Sequence, residues 1–342
     1  MTSRRLHEIT GHYPKLRLAV VGDYCLDRYL EIDPARTETS IETGLPVHNV
    51  VNVRPQPGAA GTVLNNLVAL GVGEIFAVGF CGEDGEGYEL LRALRSLPGM
   101  NLSHFIQTPL RRTFTYCKPL ILEPGLPPRE LNRFDSKNWS PTPAGLSQRL
   151  AASLAALHKE CDAVILLDQV DVPETGVVTG ALLAQFRGPD ASARPIPLIA
   201  DSRRGLRDYP PCIFKMNAAE LAALSGSPAS SALEEIQCRA LQLASANQRP
   251  VFVTLAERGL VGAAPDGRCE HVPAVPVRGP IDVVGAGDSV TANLACALAA
   301  GATEREAMEL AALASSVVVH QLGTSGAASV LQMESLLEMA LR

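Results

Sequence analysis

Six short runs in this chain are apolar without alternation: LAVV (18–21), IFAVGF (75–80), AVILL (163–167), PLIA (197–200), CIFKM (212–216) and VFVTL (251–255). A strand with one wet face alternates polar and apolar residues, whereas a strand in a parallel sheet covered on both faces does not. Helical patterns separate the runs. Residues 60–71 read as a helix closed by Gly71, 84–97 as one stopped by Pro98, 142–159 as one opened by Thr142, with further helices over 174–187 and 230–248. The C-terminal part reads as three helices over 286–300, about 303–319 and about 329–341. This alternation predicts an α/β fold with a doubly wound, mostly parallel sheet flanked by helices.

Two segments break the rhythm. Residues 28–55 and 111–135 are rich in β-branched and aromatic residues and turn formers, with no helical period. Loops of that length without structure are uncommon in compact domains. Each segment is therefore expected to supply two short strands, together forming a small β-sheet lid over the strand ends, where α/β ligands bind. No repeat or linker divides residues 1–342, so a single domain is expected.

Composition narrows the function classes. With 36 acidic against 30 basic residues the net charge is −6, and no basic run invites nucleic acid or an anionic membrane. No apolar stretch is long enough to span a bilayer and the N-terminus has no signal-peptide pattern, so a cytoplasmic protein is expected. The eight cysteines and seven histidines lack metal-ligand spacing. No disulfide framework or zinc site is expected.

The chemistry concentrates in IDVVGAGDSV (281–290). Glycines 285 and 287 permit conformations that bare successive N–H groups at a helix start, which with the helix dipole make an anion site. Asp288 lies in the first turn. A carboxylate beside an anion hole makes sense if it takes a proton from a hydroxyl attacking a phosphorus held there. The plain alternative is a Gly-rich turn with Asp288 favouring the dipole.

This stretch resembles the C-terminal signature of the ribokinase-type (PfkB) carbohydrate kinases, close to D-T-x-G-A-G-D. The resemblance implies a ribokinase-like fold, with Asp288 as general base and Gly285, Ala286 and Gly287 as the anion hole. Other motifs follow in family order over about residues 17–330. Asn217 and Glu220 in KMNAAEL match N-x-x-E, which implies phosphate contact and Mg²⁺ held by Glu220 through water; the plain alternative is a helix cap. VTLAERG is similar to V-T-x-G-x-x-G, implying that Thr254 and Gly259 approach the nucleotide, with Ala256 at the middle glycine. AVVGDYCLD resembles the first strand, implying Asp27 as the ligand of sugar hydroxyls, with Asp23 its competitor. PGAAGTVLNN is similar to P-G-G-x-x-N, implying sugar contacts from Gly58, Ala59 and Thr62, where the family has Gly and Asn at the last two; Asn65 and Asn66 lie a turn further on. FCGEDGEG (80–87) matches a structural G-x-D-x-x-G. Ala312 fills a place where the family often has Asn.

GDYCLDRYL, the lid segment TETSIETGLPVHNV and HQLGTSG (320–326) look closest to the heptose-7-phosphate kinase branch, some members of which carry a nucleotidyltransferase domain with an H-x-G-H motif that is absent from this sequence. A phosphorylated acceptor needs cations, and Arg36, Arg111, Arg112, Lys118 and Arg133 are available. LLDQVDVPE replaces the branch's S-D-Y-x-K-G, with Asp168 as a further sugar contact. The resemblance implies ATP and Mg²⁺ as cofactors, a K⁺ ion near Asp282 and Ser325, and a sugar or sugar phosphate as acceptor; the exposed edges of the lid strands, which pairing between two subunits would satisfy, predict a homodimer. Ribose, fructose phosphate, nucleoside and ketodeoxygluconate acceptors stay open. So does a non-catalytic sugar- or nucleotide-binding protein on the same scaffold. A dinucleotide oxidoreductase does not fit, because VVGDYCLD lacks G-x-G-x-x-G.

Overall fold

The structure is a computed structural model that describes residues 1–186 and 196–341. After helix α1 (Ser3–Thr10) the chain enters β1 (Arg17–Gly22) and passes at once into β2 (Tyr24–Ile32). A hairpin of β3 (Glu38–Thr39) and β4 (Pro46–Val47) leads to β5 (Val50–Ala59), which turns into α2 (Ala60–Ala69). Then come β6 (Glu74–Gly82), α3 (Gly85–Arg95), β7 (Met100–Asn101), β8 (Phe105–Thr108), β9 (Phe114–Ile121), β10 (Arg129–Glu130) and β11 (Phe134–Ser136). The middle continues through α4 (Ala144–Glu160), β12 (Ala163–Asp168) and α5 (Gly180–Leu183). Beyond them lie β13 (Leu198–Ser202), β14 (Ile213–Asn217), α6 (Ala218–Leu224), α7 (Leu233–Asn247), β15 (Val251–Thr254), β16 (Leu260–Ala263) and β17 (Cys269–Val272). Helices α8 (Ala286–Ala299), α9 (Glu304–Val318) and α10 (Val330–Leu341) follow.

The six apolar runs are six parallel strands of one sheet, ordered β15-β14-β13-β12-β1-β6, extended by antiparallel β16 and β17 at one edge and by short β7 and β8 beside β6. Their uniform apolarity reflects cores on both faces: Leu18 and Val20 of β1 enter one with α2, α8 and α9, while Ala19 and Val21 enter the other with α4 and α7. Successive connections run outward in opposite directions from β1 and β12. That switch point opens a crevice at the strands' carboxyl ends. Among the described residues no helix is long and apolar enough to cross a membrane.

A second sheet, ordered β10-β9-β2-β5 with β11 also on β9, rises from the carboxyl end of β1. Its strands β2 and β5 extend beyond the segment 28–55, beginning at Tyr24 and ending at Ala59. One predicted helix differs. Of 174–187, only Gly180–Leu183 is α-helical, followed by a 3₁₀ turn over Ala184–Phe186, and residue 187 lies outside the described residues. The preceding chain is held in a loop around Asp23, whose carboxylate accepts the amides of Gln169, Val170 and Val177. Thr142 does not open α4 either; its hydroxyl donates to the Gly176 carbonyl at 2.7 Å, bracing the same loop.

Candidate active site

The start of α8 is shaped by Gly285, which caps the helix in the left-handed region at φ +81°. Asp282 holds the approach: Oδ1 accepts the Val284 amide at 3.0 Å and Oδ2 the Gly323 amide at 3.2 Å, joining this turn to the 323–326 loop. A side chain on Gly285 would lie 3.5 Å from Thr62 Cγ2 and 3.6 Å from Ser325 Cα, so α2, α8 and that loop converge here. The amide of Ala286 donates to the Val283 carbonyl at 3.2 Å. This corrects the expected hole: Ala286 does not supply a free donor, whereas the amides of Gly285, Gly287 and Asp288 have no backbone acceptor among the described residues. Gly287 also differs from expectation. It has no positive φ, and a Cβ there would stand 3.1 Å from Lys215 Nζ.

Asp288 makes no hydrogen bond or ion pair with any described residue. Burial pushes its carboxyl up to about 7, reinforced by the charges of Asp201 and Asp27, while Lys215 and Arg203 pull the other way. Lys215 is 6% exposed and pairs with Asp201 at 2.7 Å; Asp201 also accepts from Thr291 of α8 at 2.9 Å. Sequence reasoning missed Lys215, Asp201 and Arg203. The signal was present for one of them, since a lysine inside the apolar run CIFKM must find a partner when buried.

On the lid side, Asp27 of β2 is buried and paired with Lys118 of β9 at 2.9 Å. Gly58 of β5 lies opposite Cys25 and diagonal to Asp27, and a Cβ there would come within 2.4 Å of Asp27 Oδ2, so only glycine leaves room for this carboxylate. Ala59 adopts φ +53°, a glycine-like conformation at the position where the family has glycine, and Thr62 is buried beside Gly285. Asn66 turns away, donating to the carbonyls of Thr62 and Gly326. Asp23, with three amide donors, anchors the 169–177 loop. Asp168 is also engaged: Oδ2 accepts from Ser202 (2.9 Å), Arg204 (2.6 Å) and Tyr209 (3.1 Å), and the side chain is fully buried. This geometry does not present Asp168 to the cleft as a sugar contact, because the residues closing β13 cover it. Arg111 is a strut whose guanidinium donates to the carbonyls of Ser140, Pro141 and Thr175. Arg36 and Arg133 are engaged by Asp33 and Asp135, leaving Lys118 as the expected cation that lies beside Asp27.

Beyond α8, a cleft of about 580 Å³ is lined by Asn217, Thr254, Gly259, Val275, Ala286, Gly287 and Ala312, among other residues. Asn217 and Glu220 form a reciprocal capping box at the start of α6: Asn217 Oδ1 accepts the Glu220 amide at 2.9 Å and Glu220 Oε2 the Asn217 amide at 2.7 Å. Burial raises the Glu220 carboxyl. The helix-cap and ligand roles are compatible, since Asn217 reaches the cleft from the cap. Gly259 has φ +92°, and Ala256, at the other glycine position of the family pattern, has φ +52°.

Residues 17–330 match the pfkB family carbohydrate kinase pattern. The Bifunctional protein HldE of Azorhizobium caulinodans is 31% identical over 314 residues, covering 90% of this chain and 62% of its own length. Its namesake from Trichlorobacter lovleyi is 32% identical over 316 residues, covering 91% and 60%. The chain thus spans about three fifths of the length of these curated relatives. Arabidopsis thaliana ribokinase complexed with ribose and ATP shares the fold at TM-score 0.66 and 19% identity, covering 94% of this chain and 99% of its own. Escherichia coli phosphofructokinase-2 in complex with fructose-6-phosphate does so at TM-score 0.69 and 16% identity, covering 96% and 100%. The chain therefore has the ribokinase-like fold and belongs to the pfkB family of carbohydrate kinases.

Proposed function

We propose that the protein transfers the γ-phosphoryl of ATP to a hydroxyl of a sugar phosphate, with heptose 7-phosphate as the favoured acceptor and Asp288 as the general base. The observation that carries this reading is an unpaired Asp288 carboxylate, raised to about 7, next to the unoccupied amides of Gly285 and Gly287. These lie at the junction between the 580 Å³ cleft and the lid residue Asp27. Phosphoryl transfer needs positioning and charge stabilisation more than covalent help. The acceptor oxygen attacks phosphorus as its proton passes to Asp288 Oδ. The free amides receive the charge that gathers on the phosphoryl oxygens.

In this reading the nucleotide lies against Thr254, Gly259 and the apolar wall that includes Ala312, with its phosphates reaching Asn217. Mg²⁺ suits the site through phosphate oxygens and water, with Glu220 as an outer carboxylate that gives only one oxygen to its cap. Bound there, it would neutralise phosphate charge. Asp282 and the 323–325 turn offer hard oxygens to a K⁺ ion. Asp27 would hold acceptor hydroxyls beside Gly58, Ala59 and Thr62, and Lys118 adds a cation suited to a phosphorylated sugar. A second copy of the chain fits the lid. The outer edge of β5 is unpaired among the described residues, and Val50, Val51 and Val53 are exposed beside Ile41 and Leu45.

The test is ATP consumption with a panel of sugars and sugar phosphates that includes heptose 7-phosphate. Asp288→Asn is expected to lower kcat by at least about 10²-fold while ATP affinity stays within about threefold. Near-normal turnover by that variant would remove the base assignment.

A further inference from the structure

We propose that Lys215 is a further catalytic residue whose ammonium contacts the γ-phosphoryl during transfer, and that Asp201 is a positioning residue holding it there. The proposal rests on the reading of the α8 start as the transfer site. An ammonium carries three donors. In Lys215 one donor is engaged by Asp201 at 2.7 Å, and no other partner is present among the described residues. Burial of a lysine with two unfilled donors is costly unless something else fills them. The side chain is 8% exposed, and its Nζ would stand 3.1 Å from a Cβ at residue 287. The helical backbone of residue 287 would accept any small residue. Glycine there places no side chain between the buried ammonium and the cleft, which Gly287 itself lines.

The supporting geometry is rigid. Asp201 is the penultimate residue of β13, Lys215 lies on the adjacent β14, and Thr291, one turn along α8 from Gly287, donates to the same Asp201 oxygen at 2.9 Å. One carboxylate thus fixes the ammonium relative to the helix whose first amides are free. Three carboxylates face Lys215: Asp201 from β13, Asp288 from α8 and Glu220 from α6. Together they keep it protonated against the opposing effect of burial. In the transfer step the bond from the γ-phosphorus to the β–γ bridging oxygen breaks as the bond to the acceptor oxygen forms. The hydroxyl proton goes to Asp288, ADP leaves, and Lys215 keeps its proton throughout while compensating the oxygens of the phosphoryl in flight.

The test separates this role from a structural ion pair and from the identity of the acceptor. Lys215→Met alone strands the Asp201 carboxylate, so the informative variant is the charge-neutral K215M/D201N, with folding checked by thermal unfolding. Isothermal titration with Mg²⁺ and either ADP or the non-hydrolysable analogue AMP-PNP needs no acceptor. The double variant is expected to bind ADP within about threefold of the parent and AMP-PNP at least about tenfold more weakly, one charge-assisted contact being lost. With the acceptor that gives turnover, kcat is expected to fall about 10²-fold with acceptor KM little changed. For Asp201, the single variant D201N is expected to move the alkaline limb of kcat to lower pH, because burial then acts on Lys215 with less opposition. Equal effects on ADP and AMP-PNP, or a double variant with near-parental kcat, would overturn the role of Lys215. A D201N profile lowered evenly at every pH would overturn that of Asp201. Failure of Asp288→Asn to slow turnover bears on the base instead, and leaves the nucleotide titration to decide Lys215.

Discussion

Two alanines carry backbone conformations that suit glycine. Ala59 (φ +53°) and Ala256 (φ +52°) stand at the two places where the family's pattern has glycine, and the chain keeps the glycine geometry with a Cβ attached. Such conformations cost on the order of 1–3 kcal/mol each. Ala59→Gly and Ala256→Gly are expected to stabilise the fold by about 1 kcal/mol apiece despite the added unfolded-state entropy. Chemical denaturation that shows both variants less stable than the parent would contradict this. The charge of Asp288 acts in a pH-dependent way. Its folded pKa of about 7 exceeds the ordinary 3.8, so its stabilising contribution is complete below about 4 and is lost as pH rises through 7. Asp288→Asn should therefore raise the unfolding temperature more at pH 8 than at pH 5, by ~2 °C for each kcal/mol relieved. The same carboxylate must be ionised to act as the proposed base, so under that proposal kcat should climb between about pH 6 and 8. These residues differ in how far they were legible. Asp288 and Gly285 were readable because a motif names them. Lys215 and Asp201 were not, because their partnership joins different strands and no local spacing records it.

At the scale of elements, the apolar runs gave six strands almost to the residue, since burial on both faces leaves a continuous signature. The helix expected over 174–187 failed because a single tertiary group outweighed local propensity. Asp23 gathers the amides of Gln169, Val170 and Val177, and that carboxylate lies on a different strand end. Gly176 is required beneath it, as a Cβ there would come within 2.3 Å of Asp23 Oδ1. Asp23→Ala should leave three amide donors unsatisfied, two of them buried, costing about 3 kcal/mol or more. Faster amide hydrogen exchange confined to 169–177 is the signature to look for. Unchanged exchange there would show that the loop is held by other contacts. Likewise Asn217 and Glu220 were readable both as a cap and as ligands. The capping box shows how one pair can serve a helix end and still present Asn217 to the cleft.

For the molecule as a whole, the lid was legible as an interruption of the helix–strand rhythm, but its pairing was not. Parallel alignment of β2 with β9 joins residues some ninety positions apart, such as Tyr29 with Lys118, and nothing local encodes such a register. The exposed valines of β5 and Ile41, at 103% relative exposure, make the lid the prime candidate for self-association. Val51→Glu combined with Ile41→Glu is expected to convert a dimer to a monomer in sedimentation velocity. A parent that already sediments as a monomer at micromolar concentration would rule out that interface. One joint in the fold has a mechanical corollary. Between the last residue of β1 and the first of β2 there is a single residue, Asp23, and it is the one that grips the loop next to β12. The roof and the floor of the cavity thus share one pivot pin. Any swing of the sheet above must strain or release that grip, so opening for an incoming sugar and loosening of the neighbouring wall are one movement.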